Sequence, residues 1–165
     1  MSALRIREAD PADLDAVGRI SVAAYNAIAG YDMSDGYRGE LADGARRLRD
    51  ARLLVAEADG RVVGTVTFVP GPGPLAEVDD PDAAGVRMLA VDPSAQGRGV
   101  GAALLAACVE QAREGGQARV VLHSTPWMTA AHRLYGRLGF RRDADLDLWV
   151  SDGAFPLLAY RLEVG

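Results

Sequence analysis

The segment Gln96-Gly97-Arg98-Gly99-Val100-Gly101 carries the clearest chemical signal in the sequence. Three glycines in five positions let a backbone approach a ligand without intervening side chains. A helical pattern follows at once, with Val100, Leu104, Ala107 and Cys108 as its inner stripe. The first turn of such a helix offers unpaired N–H groups and a positive dipole end, which together suit a pyrophosphate. Arg98 adds a cation beside that position. The alternative is a glycine turn with no ligand.

Gly97, Gly99 and Ala102 also satisfy the dinucleotide fingerprint G-x-G-x-x-A. Two features oppose that reading. Five residues, Asp92-Pro93-Ser94-Ala95-Gln96, separate the preceding strand from the first glycine, and the next strand ends in His123-Ser124 instead of an acid. Other chemistry finds little support. Two histidines, His123 and His132, and one cysteine give no metal-ligand spacing, so no metal is expected. No G-x-S-x-G elbow is present, and all 18 basic residues are arginine, which excludes an enzyme lysine for Schiff-base or P-loop chemistry. Cys108 falls in a small-residue apolar stripe and reads as packing. Trp127 and Trp149 read either as pocket walls or as core and rim packing.

The glycine segment needs elements to hold it. Leu4 to Glu8 alternates like a short strand, and Asp10-Pro11 opens a helix expected to run to about Ala27. A second helix is expected over Asp35–Asp50. Residues 53–58 and 61–69 read as a hairpin around Asp59-Gly60. A long loop then runs to about Ala84 and carries Glu77, Asp79, Asp80 and Asp82. Val86 to Val91 is a strand with a continuous apolar end, hence central. Strand 119–124 follows the glycine helix, then a helix opened by Thr125-Pro126 and closed at Gly139, then strands near 141–149 and 157–163. Hairpins with one β-α-β crossover predict an α/β (α+β) fold. Its central sheet is mixed and mostly antiparallel, with about seven strands and helices on both faces.

The 165 residues show no repeat or linker and are expected to form a single domain, 1–165. A net charge of −5 argues against nucleic acid or an anionic membrane as partner. No apolar run is long enough to span a bilayer, and Met1 to Arg7 lacks a signal-peptide core. The lone cysteine fits a reducing compartment, so a cytoplasmic location is expected.

Three motifs resemble the GNAT superfamily of N-acetyltransferases. Gln96 to Gly101 matches its Q/R-x-x-G-x-G/A loop, and Met88-Leu89-Ala90-Val91-Asp92-Pro93 is similar to the strand before it. Ala131-His132-Arg133-Leu134-Tyr135-Gly136-Arg137-Leu138-Gly139-Phe140 is similar to its A-x-x-L-Y-x-x-L-G-F helix. The resemblance covers nearly the whole chain and implies an acyltransferase that moves an acetyl group from acetyl-CoA to an amine by direct attack. Acetyl-CoA would lie where two central parallel strands splay. Backbone groups of Leu89, Ala90 and Val91 would pair with its pantetheine arm, and Gln96, Gly97, Arg98, Gly99, Val100, Gly101 and Ala102 would hold its pyrophosphate. Tyr135 falls on the family tyrosine that protonates the departing thiolate.

Two departures from the family pattern stand out. Gly85 occupies the place where many members carry an acid, and Met128 stands where an asparagine often begins the helix. The general base is therefore open among His123, Glu77 and Asp80. The acidic loop favours a cationic acceptor, an amine on a small molecule or peptide. A homodimer is compatible with this reading. The rival class is a binding module of the same fold that senses acyl-CoA without turnover, and a nucleotide-binding protein comes third.

Overall fold

Asp59 and Gly60 both adopt positive φ, 52° and 76°, which is the backbone of a two-residue hairpin turn matched to strand twist. They join β2 (Arg52–Ala58) to β3 (Arg61–Val69). The structure, a computed structural model, describes residues 3–150 and 155–165. Met1 and Ser2, part of the N-terminal segment read above as lacking a leader, lie outside the described residues. The remaining strands are β1 (Arg5–Glu8), β4 (Ala83–Val91), β5 (Arg119–Ser124), β6 (Arg141–Arg142), β7 (Leu148–Trp149) and β8 (Pro156–Glu163). Their order is β1-β2-β3-β4-β5-β8-β6, with β7 also paired to β8. All neighbours are antiparallel except β4 and β5. This is the mixed sheet expected, with eight strands because the 141–149 segment is divided by a 3-10 turn at Ala144–Leu146.

Helices cover both faces. On one side lie α1 (Leu14–Asn26), α2 (Asp35–Ala42) and α3 (Gly44–Asp50); on the other lie α4 (Val100–Glu114) and α5 (Thr129–Arg137). The single helix expected over Asp35–Asp50 is broken at Asp43. That residue leaves helical geometry at ψ 71°, and its carboxylate accepts from the Arg46 amide to cap a new helix. The first helix likewise begins as a 3-10 turn, Pro11–Asp13, under an Asp10–Asp13 capping box.

The inner stripe of α4, Val100, Leu104 and Cys108, is fully shielded, with Leu105 and Ala112 beside it, while Ala107 is only half-buried. Full burial of each leucine is worth about 2–3 kcal/mol. Close packing of α4 depends on Gly64 in β3, since a Cβ there would stand 2.7 Å from Val100 Cγ1 and 3.0 Å from Leu104 Cδ1. Burial pushes the Cys108 thiol up to about 12. Among the described residues, no helix is long and apolar enough to cross a membrane.

Candidate active site

The parallel pairing of β4 with β5 covers only Ala83–Val86 against Arg119–Leu122. Both strands continue, to Val91 and Ser124, but apart. β5 stays joined to β8 as far as Ser124, whereas β4 stays with β3. The separation coincides with an irregularity on β4. Thr65 pairs with Ala90 and Thr67 with Arg87, so Val66 stands against two residues, Met88 and Leu89. Met88 takes φ 53°, which identifies a β-bulge. Bulges re-aim side chains, and this one divides two clefts: Leu89 lines one and Met88 the other.

The first cleft has a volume of about 580 Å³. Leu89, Ala90 and Val91 form one wall, and Gln96, Gly97, Gly99, Val100, Gly101 and Ala102 form the end. Leu134 and Arg137 of α5 contribute the opposite side, with Trp127 and Met128 before that helix. Gly97 and Gly99 hold φ 78° and 79°, a region that costs other residues about 1–2 kcal/mol, and no atom lies within 4 Å of a Cβ built at either. Gly99 is the N-cap of α4 and gives no side-chain hydrogen bond, so the first-turn amides are left for a ligand. Of the predicted loop, Arg98 is exposed and outside the cleft lining. At the start of α5, Met128 makes no side-chain cap hydrogen bond.

The second cleft, about 560 Å³, meets the first at Tyr25 and Met128. Glu77, Arg87, His123, Ser124 and Thr125 line it, together with Tyr31 and Tyr37. Glu77 is the one acid of the β3–β4 loop that reaches it. Asp80 instead accepts from the Asp82 amide and pairs with Arg119 at 2.6 Å, contacts that hold its pKa below the ordinary value. Asp79 and Asp82 are exposed. The Glu77 carboxylate lies between the Arg87 guanidinium, with Nε at 3.7 Å, and the His123 imidazole, with Nδ1 at 3.4 Å.

The protonation of His123 follows from its neighbours. Nε2 lies 2.9 Å from the Leu146 carbonyl, which only accepts, so Nε2 carries a proton. Nδ1 then either presents a lone pair to the Glu77 carboxylate or carries a second proton. The imidazole is only 2% exposed, and burial pulls its pKa down. Glu77 and the Leu146 carbonyl outweigh burial, and the net shift is upward.

Tyr135 lines neither cleft. It is buried among Phe140, Tyr160 and His132, and its hydroxyl bonds the side chain of Ser124, which does line the second cleft. Burial raises its pKa to about 12, against the opposing effect of Ser124. Gly85 shares a strand face with Arg87 by the two-residue period of the pleat, and Glu77 reaches that face from the loop.

Several lining residues other than Trp127 had no sequence signal. Tyr25 and Tyr37, at 5.8 Å edge to face, belong to different helices. Tyr31, Trp127 and Phe155 form an aromatic group, with Trp127 stacked on Tyr31 at 5.8 Å and edge-on to Phe155 at 4.9 Å. Trp127 is therefore a pocket wall, whereas Trp149 is 65% exposed. Among the described residues, no group of three or more His, Cys, Asp or Glu could hold a metal.

An open gap between parallel strands ends in a loop with free amides and has a polar cleft alongside. A family model described as the acetyltransferase (GNAT) family matches residues 19–140, more than half of the sequence, and the chain belongs to that family. The chain is 36% identical over 96 residues to a mycothiol acetyltransferase of Cellulomonas flavigena, a stretch covering 57% of this chain and 28% of that protein. It is also 36% identical over 92 residues to human N-acetyltransferase 8B, covering 53% of this chain and 37% of that protein. The matched stretch is thus well under half of either relative. Among solved structures, the yncA protein of Salmonella typhimurium with its cofactor acetyl-CoA superposes at TM-score 0.72. It is 28% identical, covering 99% of this chain and 95% of that one. A GNAT family acetyltransferase of Brucella melitensis in complex with acetyl-CoA superposes at 0.68 with 26% identity, covering 99% and 89%.

Proposed function

We propose that the chain is an acetyl-CoA-dependent N-acetyltransferase in which an amine attacks the thioester directly, both substrates being bound together. The observation that carries this is the junction of two clefts across the Met88–Leu89 bulge, one with free amides and the other with Glu77 and His123. Acetyl-CoA supplies an acyl group already activated on a good leaving thiol. Leu89, Ala90 and Val91 offer the strand edge to its pantetheine arm, and the amides of the Gln96–Ala102 segment hold its pyrophosphate. A backbone N–H beside the thioester, on the Leu89 side of the bulge, would stabilise the oxyanion as it develops.

Glu77 and His123 draw in the acceptor amine and take its proton as a pair, since Nε2 is already occupied and Nδ1 faces Glu77. Tyr135 lines neither cleft, so its hydroxyl would reach the departing thiolate only beside or through Ser124, its partner on the cleft wall. With its pKa near 12, full transfer to a thiol of about 8–9 would be uphill, so stabilisation of the developing charge is its main contribution. The acceptor is an amine on a small molecule or peptide. Glu77, Glu40 and Asp32 in the second cleft favour a cation, and Tyr31 and Phe155 favour apolar substance beside it. We read residues 1–165 as one such domain, cytoplasmic because its one thiol is unpaired; light scattering tests whether it forms a homodimer.

Free thiol released from acetyl-CoA in the presence of an amine panel tests the activity. Amine-dependent release is expected. Gly85, in place of an acid, favours a second reading, an acyl-CoA sensor of the same fold; tight binding with no release across the panel would establish that instead.

A further inference from the structure

A third cavity lies behind the second cleft, lined by Glu40, Asp43, Arg46, Arg47, Thr67, Leu75, Arg87 and Met88. Its volume is about 30 Å³, room for one monatomic ion or a water or two, and too small for sulfate or phosphate. Arg47 is 3% exposed and belongs to no ion pair among the described residues. Its two terminal nitrogens donate to the carbonyls of Glu40, Asp43 and Leu41, while Nε has no partner. Thr67 is 0% exposed and its hydroxyl also has no partner. Two residues that line one small cavity therefore each carry a buried, unpartnered donor, one of them charged.

The surrounding charges do not balance Arg47. Arg46 faces Asp50 at 3.8 Å, and Arg87 faces Glu77 at 3.7 Å. Asp43 accepts from the Arg46 amide, and Glu40 and Asp43 are exposed at the cavity rim. A guanidinium buried against carbonyls is costly when the carboxylate acting on it, Asp43, is exposed and makes no ion pair with it, and burial lowers the Arg47 pKa. Carbonyls already occupy its terminal nitrogens, so the group that completes it must accept from Nε and from a hydroxyl.

From this geometry we propose that the Arg47–Thr67 cavity binds a small monovalent anion of the halide class, chloride being the physiological one. The anion completes the hydrogen bonding of Arg47 and Thr67. It also places a negative charge beside Arg87, the residue that positions Glu77 in the second cleft.

Bromide is the probe. Crystals grown in sodium bromide, measured at the bromine absorption edge, should show one anomalous peak in contact with Arg47 and Thr67. A water at that place, with no anomalous signal, would overturn the proposal. In solution, the unfolding midpoint in sodium bromide is compared with sodium gluconate at equal ionic strength, for the wild type and for Thr67→Val. That substitution is close to isosteric and breaks no protein hydrogen bond. The wild type should gain a few degrees in bromide over gluconate and Thr67→Val should lose that gain. An equal response from both proteins would overturn the site. Should Thr67→Val fail to fold, the wild-type diffraction result decides alone.

Discussion

At the residue scale, three side chains carry distinct expectations. Tyr135→Phe removes one buried hydroxyl and its bond to Ser124 while keeping the ring packed on Phe140 and Tyr160. Turnover should fall about a hundredfold with the acetyl-CoA dissociation constant almost unchanged, read from steady-state kinetics beside direct titration. Glu77→Gln should raise the acceptor KM and lower kcat by at least about tenfold, whereas Asp79→Asn and Asp82→Asn, both on exposed positions, should do neither. The same Glu77 substitution has a signature in pH. His123 holds its proton more tightly in the folded protein than in the unfolded chain. The Glu77–His123 pair therefore stabilises fully below the ordinary histidine value of about 6.5, and its contribution is lost as pH rises through the higher folded value. Wild-type melting temperature should decline across that window relative to Glu77→Gln, a comparison made by calorimetry at a series of pH values.

At the scale of elements, the site depends on where α4 sits against β3. Gly64→Ala would drive a methyl to 2.7 Å from Val100 Cγ1, so α4 must move. A loss of about 1–3 kcal/mol in stability is expected from overpacking. Because Gly99 and Gly101 ride on the same helix start, the KM for acetyl-CoA should rise along with it. Denaturant titration and kinetics on one preparation separate the two effects. Much of this level was legible in the residues. Asp59-Gly60 announced its hairpin, and the glycines at 97 and 99 announced a backbone-lined loop, because positive φ selects glycine chemically. The bulge at Met88 was not legible. Its positive φ falls on a residue with no preference for it, so sheet register, a long-range property, imposes it. The break at Asp43 was readable in hindsight as Asp-Gly followed by a capped turn, but apolar period alone ran the two helices together. Likewise, Glu77 could not be told from Asp79, Asp80 and Asp82 along the chain. Only folding places Arg87 and His123 around it.

At the scale of the whole molecule, the two clefts open on the line where β4 and β5 part, so the sheet's two halves are joined there by few backbone bonds. A ligand spanning the gap ties β4, α4 and α5 together. Acetyl-CoA at one hundred times its dissociation constant should add about 2.7 kcal/mol, a rise of roughly 5–10 °C in unfolding midpoint, while NAD should add nothing. A protein that ignores coenzyme A in this measurement would keep its fold and lose its assignment.

The shielding of Cys108 behind α4 has a practical outcome. The chain has one sulfhydryl, and its high pKa and complete enclosure keep it from reacting with disulfide reagents in the native state. A chromogenic disulfide added to a running assay would therefore register coenzyme A with no background from the catalyst. With substrate withheld, the same reagent becomes a clock for global opening, since colour can appear only as fast as the helix lets go of the sheet.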